Sequence, residues 1–92
     1  MDAWQRWRVS LRRAVADELK EQTEARGVPI SRAGEVLGVV RQAIKDRLAG
    51  EVRFGIDEMI AVAEWVGVDP AEIIVNALER VSPAPLRGGA RG

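Results

Sequence analysis

Pro29-Ile30-Ser31-Arg32-Ala33-Gly34-Glu35-Val36-Leu37-Gly38-Val39-Val40-Arg41-Gln42-Ala43-Ile44-Lys45-Asp46-Arg47-Leu48-Ala49-Gly50 is the stretch that decides the fold. Ile30, Ala33, Val36 and Leu37 recur at helical spacing and give a short helix one apolar stripe. Pro29 suits the first turn of that helix, because its missing N–H has no partner there. Val28 and Ser31 both stand where a cap residue belongs. Gly38 then breaks the chain, since a tight turn between helices needs a residue that accepts a left-handed backbone. A further helix is expected from about Val40 to Ala49. Val39, Ile44 and Leu48 anchor it inward, and Gly50 closes it. Two helices that cross steeply need a small residue where they touch, and Gly34 supplies it. Gln42, Lys45 and Asp46 fall opposite Ile44 on a helical wheel. Arg41 lies on the flank, at the helix's N-terminal end.

Upstream, Trp4, Trp7, Leu11, Val15, Leu19 and Thr23 also follow a helical period, which predicts one long helix from about Ala3 to Arg26 ended by Gly27. Downstream, Gly55 is an acceptable N-cap, and Asp57 and Glu58 complement the positive end of a helix dipole. Met59, Ile60, Ala63 and Val66 are the expected core face of this fourth helix, which Gly67 ends. Trp65 is expected in the core or beside Trp4. Asp69-Pro70-Ala71-Glu72 is the clearest start signal in the chain, with a capping carboxylate, Pro at the first helical position and Glu at the third. A fifth helix should then run to about Val81, with Ile73, Ile74, Ala77, Leu78 and Val81 apolar. Ser82-Pro83-Ala84-Pro85 stops it. No strand alternation and no internal repeat is visible. The expectation is an all-α, five-helix domain over residues 1–82 with an extended first helix, followed by a flexible basic tail over 83–92.

The 92 residues suit one domain. There is no Cys and no His, so disulfides, thiolate metal sites and imidazole general bases are excluded. No nucleophile–base or metal constellation is visible, and the expectation is a non-enzyme without cofactors. No apolar run is long enough to span a bilayer, and Arg6, Arg8, Arg12 and Arg13 interrupt the N-terminus where a signal peptide would need an apolar core. A cytoplasmic protein without a membrane partner is therefore expected. With no long sensor domain, no small-molecule effector is expected either. The net charge is zero, but it is unevenly spread. Residues 27–56 carry five basic against three acidic side chains, whereas residues 57–82 carry one basic against six acidic. A polarised molecule of this kind can still present one positive face to phosphates.

The segment Leu37-Gly38-Val39-Val40-Arg41-Gln42-Ala43-Ile44-Lys45-Asp46-Arg47-Leu48-Ala49-Gly50 resembles the turn and recognition helix of phage Cro and repressor proteins, the lambda-repressor-like or XRE helix-turn-helix family. Gly34 matches the family's small residue on helix two. Ile56 to Val68 and the following Asp69-Pro70-Ala71-Glu72-Ile73-Ile74 resemble its fourth and fifth helices, so the likeness covers about residues 15–78. It implies a sequence-specific regulator of transcription from a phage or prophage, a repressor or Cro-like switch whose partner is a double-stranded DNA operator. By the same likeness Arg41, Gln42, Ala43, Lys45 and Asp46 fall at base-reading positions. Arg takes guanine O6 and N7 together, Gln pairs with adenine N6 and N7, Ala43 touches a thymine methyl, and Asp46 accepts from cytosine N4 or steers Arg41. Ser31, Arg32, Arg47 and Arg53 are the phosphate candidates, which position the protein without reading sequence. The chain departs from the family at three places. Val40 replaces a capping Ser or Thr. Ile30 or Ser31 stands where a phosphate-contacting Gln is usual. The Trp4/Trp7 extension has no counterpart.

Some residues keep two readings. Trp4, Trp7 and Leu11 either pack the first helix on the fifth or form a homodimer surface with Ile74 and Leu78. Arg6, Arg8, Arg12 and Arg13 are either a solvated face or a second phosphate patch. The whole domain has an alternative reading as an antitoxin or protein-interaction module, with the acidic fourth and fifth helices as its binding face.

Overall fold

Asp2 opens the first helix, α1, by accepting the Gln5 N–H at 2.8 Å, and α1 runs over Ala3–Ala25 in the computed structural model, which describes residues 2–83. Its end is built as expected. Gly27 takes φ 72°, and the Val28 N–H reaches back to the Thr23 carbonyl at 2.9 Å, closing the helix in a Schellman-type turn.

The second helix departs from the sequence reading at its start. Pro29, at φ −65° and ψ 126°, lies just outside rather than in the first turn. A 3-10 turn, Ile30–Arg32, comes first and leads into α2, Ala33–Leu37. Neither Val28 nor Ser31 caps it: Val28 has no side-chain acceptor, and no side-chain bond closes either start. The tighter 3-10 winding is a common way to begin a helix, and here it turns Ile30 into the core. Gly38 is left-handed at φ 68°, and α3 follows over Arg41–Leu48. Then α4 spans Ile56–Val66 and α5 spans Pro70–Glu79. The architecture is all-helical, with five α-helices and no strand among the described residues. The basic tail expected over 83–92 lies, from residue 84 on, outside the described residues.

Leu19, Ile30, Ala33, Ile44, Met59, Val62, Ala63, Val68 and Ile73 form the core, with Val15, Leu37, Val39, Leu48, Phe54 and Val66 packed against it. The α4 face needs one correction. Val62 is fully buried and Ile60 is exposed, because Met59, Val62, Ala63 and Val66 keep the strict helical stripe and Ile60 sits beside it. Trp65 is likewise not a core residue but 37% exposed, and Trp4 meets Trp7, edge to face at 5.7 Å between ring centres. On α5, Ile73 and Ala77 are buried while Ile74 and Leu78 are exposed. This helix stops before Val81: the N–H groups of Arg80 and Val81 close tight turns onto the carbonyls of Ala77 and Leu78. The Asp69 start signal is realised, its carboxylate accepting the Ala71 N–H at 2.9 Å.

The sequence reading overlooked Glu18. It is buried between α1 and α5, and its carboxylate accepts from Gln22 at 2.7 Å, Asn76 at 2.8 Å and Arg80 at 2.8 Å. Arg80 also pairs with Glu21. Among the described residues, no buried side-chain polar atom lacks a partner. Burial works against the ionised form of Glu18. The bonds from Gln22, Asn76 and Arg80, with the Arg80 charge, outweigh it and hold the carboxyl below its usual value of 4.5. A depressed carboxyl pKa means that stability is fully present above the unfolded-state pKa and is lost as pH falls through the folded-state one. Urea titrations of the Glu18→Gln variant should therefore show lower stability than wild type at pH 7 and a flatter decline below about pH 4.5. An unchanged acid limb would contradict this assignment.

Candidate nucleic-acid interface

The turn at Gly38 works because two backbones come very close. A Cβ on Gly34 would lie 3.0 Å from the Val39 carbonyl oxygen and 3.3 Å from Ile44 Cγ1. The Val39 N–H also donates to the Gly34 carbonyl at 3.0 Å. Gly34 is thus the contact point between the two helices, and its carbonyl also takes part in the turn at Gly38. Ile44, at 2% exposure, is the buried anchor of α3, with Val39 and Leu48 half-buried on either side. The helix packs on α1, α2 and the 3-10 turn, so one side of it faces out.

That outer side carries Arg41, Gln42 and Lys45, all exposed. Ala43 and Asp46 are half-buried beside them. Asp46 does not engage Arg41; its carboxylate accepts from Gln42 Nε2 at 2.9 Å. Val40 offers no side-chain cap and is itself 73% exposed, which leaves the first-turn N–H groups of α3 without a side-chain acceptor.

The phosphate candidates separate. Ser31 and Arg32 sit on the 3-10 turn that packs against α3, both exposed, and Arg32 makes a long, solvent-exposed contact of 3.5 Å with Glu35. Such a pair is weak and easily exchanged. Arg47 is different. Its guanidinium donates twice to Glu58, at 3.0 and 2.9 Å, and once to the Ala43 carbonyl at 3.0 Å. Glu58 in turn accepts the Gly55 N–H at 2.9 Å. The Arg47 bonds first, and the Gly55 N–H next, hold the Glu58 carboxyl below its usual range. This forked ion pair ties the end of α3 to the start of α4, a role the sequence reading missed. The signal was weak: an acid at the third position of α4 reads equally well as a local cap. Arg53 lines a cavity against α1 together with Arg8 and Arg12.

The tryptophan extension is also divided. The Trp7 indole donates to the Ser82 carbonyl at 2.9 Å, tying α1 to the chain just after α5. Trp4, Ile74 and Leu78 remain exposed, and Leu11 and Ile74 line the same cavity as Arg53. Of the arginines on α1, Arg12 reaches the carbonyls of Gly50 and Glu51, each at 3.4 Å, immediately after α3.

Comparisons with protein-family models, with curated proteins and with solved structures find no match to this chain.

A β-branched side chain at position 34 collides with backbone rather than with a movable side chain. Gly34→Val should cost about 1–3 kcal/mol in urea unfolding, the usual range for overpacking a tight contact. Unchanged stability would mean that the helices do not approach as described.

Proposed function

We propose that this protein is a sequence-specific double-stranded-DNA-binding regulator of transcription, a lambda-repressor-like helix-turn-helix protein acting as a repressor or Cro-like switch in a phage or prophage. The observation that carries this reading is the division of α3: Ile44 locks one side into the core while Arg41, Gln42 and Lys45 stand together on the other. A helix held this way can enter a major groove and present bidentate donors to base edges. Arg41 is assigned to a guanine and Gln42 to an adenine. Lys45 extends the reading surface, with Ala43 as the contact for a thymine methyl. Asp46 holds Gln42 in the free protein, so a cytosine amino group would compete for the same carboxylate.

Ser31 and Arg32 are the phosphate contacts in this proposal. Arg47 is left out because its guanidinium is committed to Glu58, and Arg53 because it lines the cavity against α1. The zero net charge is compatible with the proposal, since the excess of acid over base lies in residues 57–82, with six acidic side chains against one basic. If two copies bind together, their half-sites should lie about 34 Å apart, one helical turn.

A second reading has its own support. Ile60, Trp65, Val75 and Leu78 are exposed on α4 and α5 among acidic neighbours, as a protein-binding face of an antitoxin or adaptor would be. The two readings separate on one residue. Titrated against duplex DNA from its own upstream region, the protein should bind with a steep salt dependence. Arg41→Ala should cost about 1–3 kcal/mol and relax preference at one base pair. If Arg41→Ala binds as wild type does, α3 is not the reading helix. If neither protein shows sequence-selective binding, the DNA reading fails and the acidic face becomes the better candidate.

A further inference from the structure

A concavity of about 780 Å³ lies between α1, residues 53–54 and the faces of α4 and α5. Its floor is apolar, formed by Leu11, Val15, Phe54 and Met59, and Ile74 contributes from α5. Arg8, Arg12 and Arg53 also line it, and no Asp or Glu among the described residues does. Arg8 and Arg53 are exposed and make no ion pair with a described residue. Arg12 has only the two long contacts to the Gly50 and Glu51 carbonyls, at 3.4 Å. Three arginines therefore line a largely apolar groove, and none of them has a described carboxylate partner. Like charges gathered at a low-dielectric surface repel one another, and an anion placed among them relieves that repulsion.

We propose that this groove binds a small amphiphilic carboxylate, an alkyl or aryl chain carrying one negative charge. The chain lies on Leu11, Val15, Phe54 and Met59, and the carboxylate takes the fork of Arg8 and Arg53. The volume falls in the range of small-molecule sites, about 300–1,000 Å³. The side chains of residues 84–92 include Arg87 and Arg91 and no Asp or Glu, so they offer no carboxylate of their own to this groove. An acidic surface of a second copy has the right sign, but the apolar floor calls for a chain that enters the groove. A ligand in this groove runs against the expectation that no small-molecule effector binds. No residue of α3 lines it, so the proposal is independent of the DNA reading.

The test is a titration of the full chain, free of DNA, with decanoate below its micellar range, followed by NMR of the methyl groups. Decanoate should saturate, with the largest shifts at Leu11, Val15, Met59 and Ile74. Decanol should bind about tenfold more weakly, as expected for the loss of a charge-assisted bond. The Arg8→Gln/Arg53→Gln double variant alters two exposed side chains and should remain folded by circular dichroism. It should weaken decanoate about tenfold and leave decanol unchanged. Equal affinity for decanoate and decanol in the wild-type protein, shifts scattered over other faces, or shifts that follow protein concentration instead of decanoate would each overturn the proposal.

Discussion

The close approach at Gly34 is the constraint on which the rest of the structure depends. With hydrogen as the side chain, the backbone of α2 lies against the Val39 carbonyl and Ile44. Gly38 then turns the chain through a left-handed conformation, which costs other residues roughly 1 kcal/mol or more. Once these two positions are set, Ile44 has one place to go, and the direction of α3 follows. The residues that matter for the proposed function are simply those that cannot point inward when Ile44 does.

The long α1 is the second support. It packs on α5, α4, α3 and the 3-10 turn, so it is the element that ties the N-terminal and C-terminal helices together. Three polar links reinforce it. Arg12 reaches the carbonyls that follow α3, Trp7 holds Ser82, and Glu18 gathers Asn76 and Arg80 from the α5 end. Across the molecule, Arg47 and Glu58 do the same for the junction of α3 and α4. The core of a chain this short is small, and fully partnered polar links supply the register that a larger apolar core would otherwise set.

The helices were legible because each carried both a period and a stop. Gly27, Gly38, Gly50 and Gly67 all take positive φ, and each ends a stretch whose apolar spacing was already helical. What was not legible came from contacts distant in sequence. Ile60 and Val62 are equally apolar, and only the packing of α4 tells which one is buried. Glu18 lies in register with Leu11, Val15 and Gln22 on the inner stripe of α1. A charge in that register was a readable sign of a buried ion pair, but its partners are about sixty positions away. Arg47 looked like any basic residue on a basic helix, and its commitment to Glu58 appears only once α3 and α4 are placed. The wheel put Gln42, Lys45 and Asp46 opposite Ile44 and Arg41 on the flank; Arg41, Gln42 and Lys45 are exposed, whereas Asp46 is half-buried. The groove beneath Arg8 and Arg53 was not legible, since its floor draws on three helices and a loop.

The central question for this protein is whether the outer face of α3 chooses among DNA sequences. Selection of bound duplexes from a random library, carried out with the wild-type protein and with an Arg41→Ala/Gln42→Ala/Lys45→Ala variant, measures this directly. The account predicts one discrete enriched motif for the wild type, containing a guanine and an adenine at fixed spacing, and loss of that motif for a variant that is still folded. No enriched sequence for the wild type, or the same motif from both proteins, would contradict it.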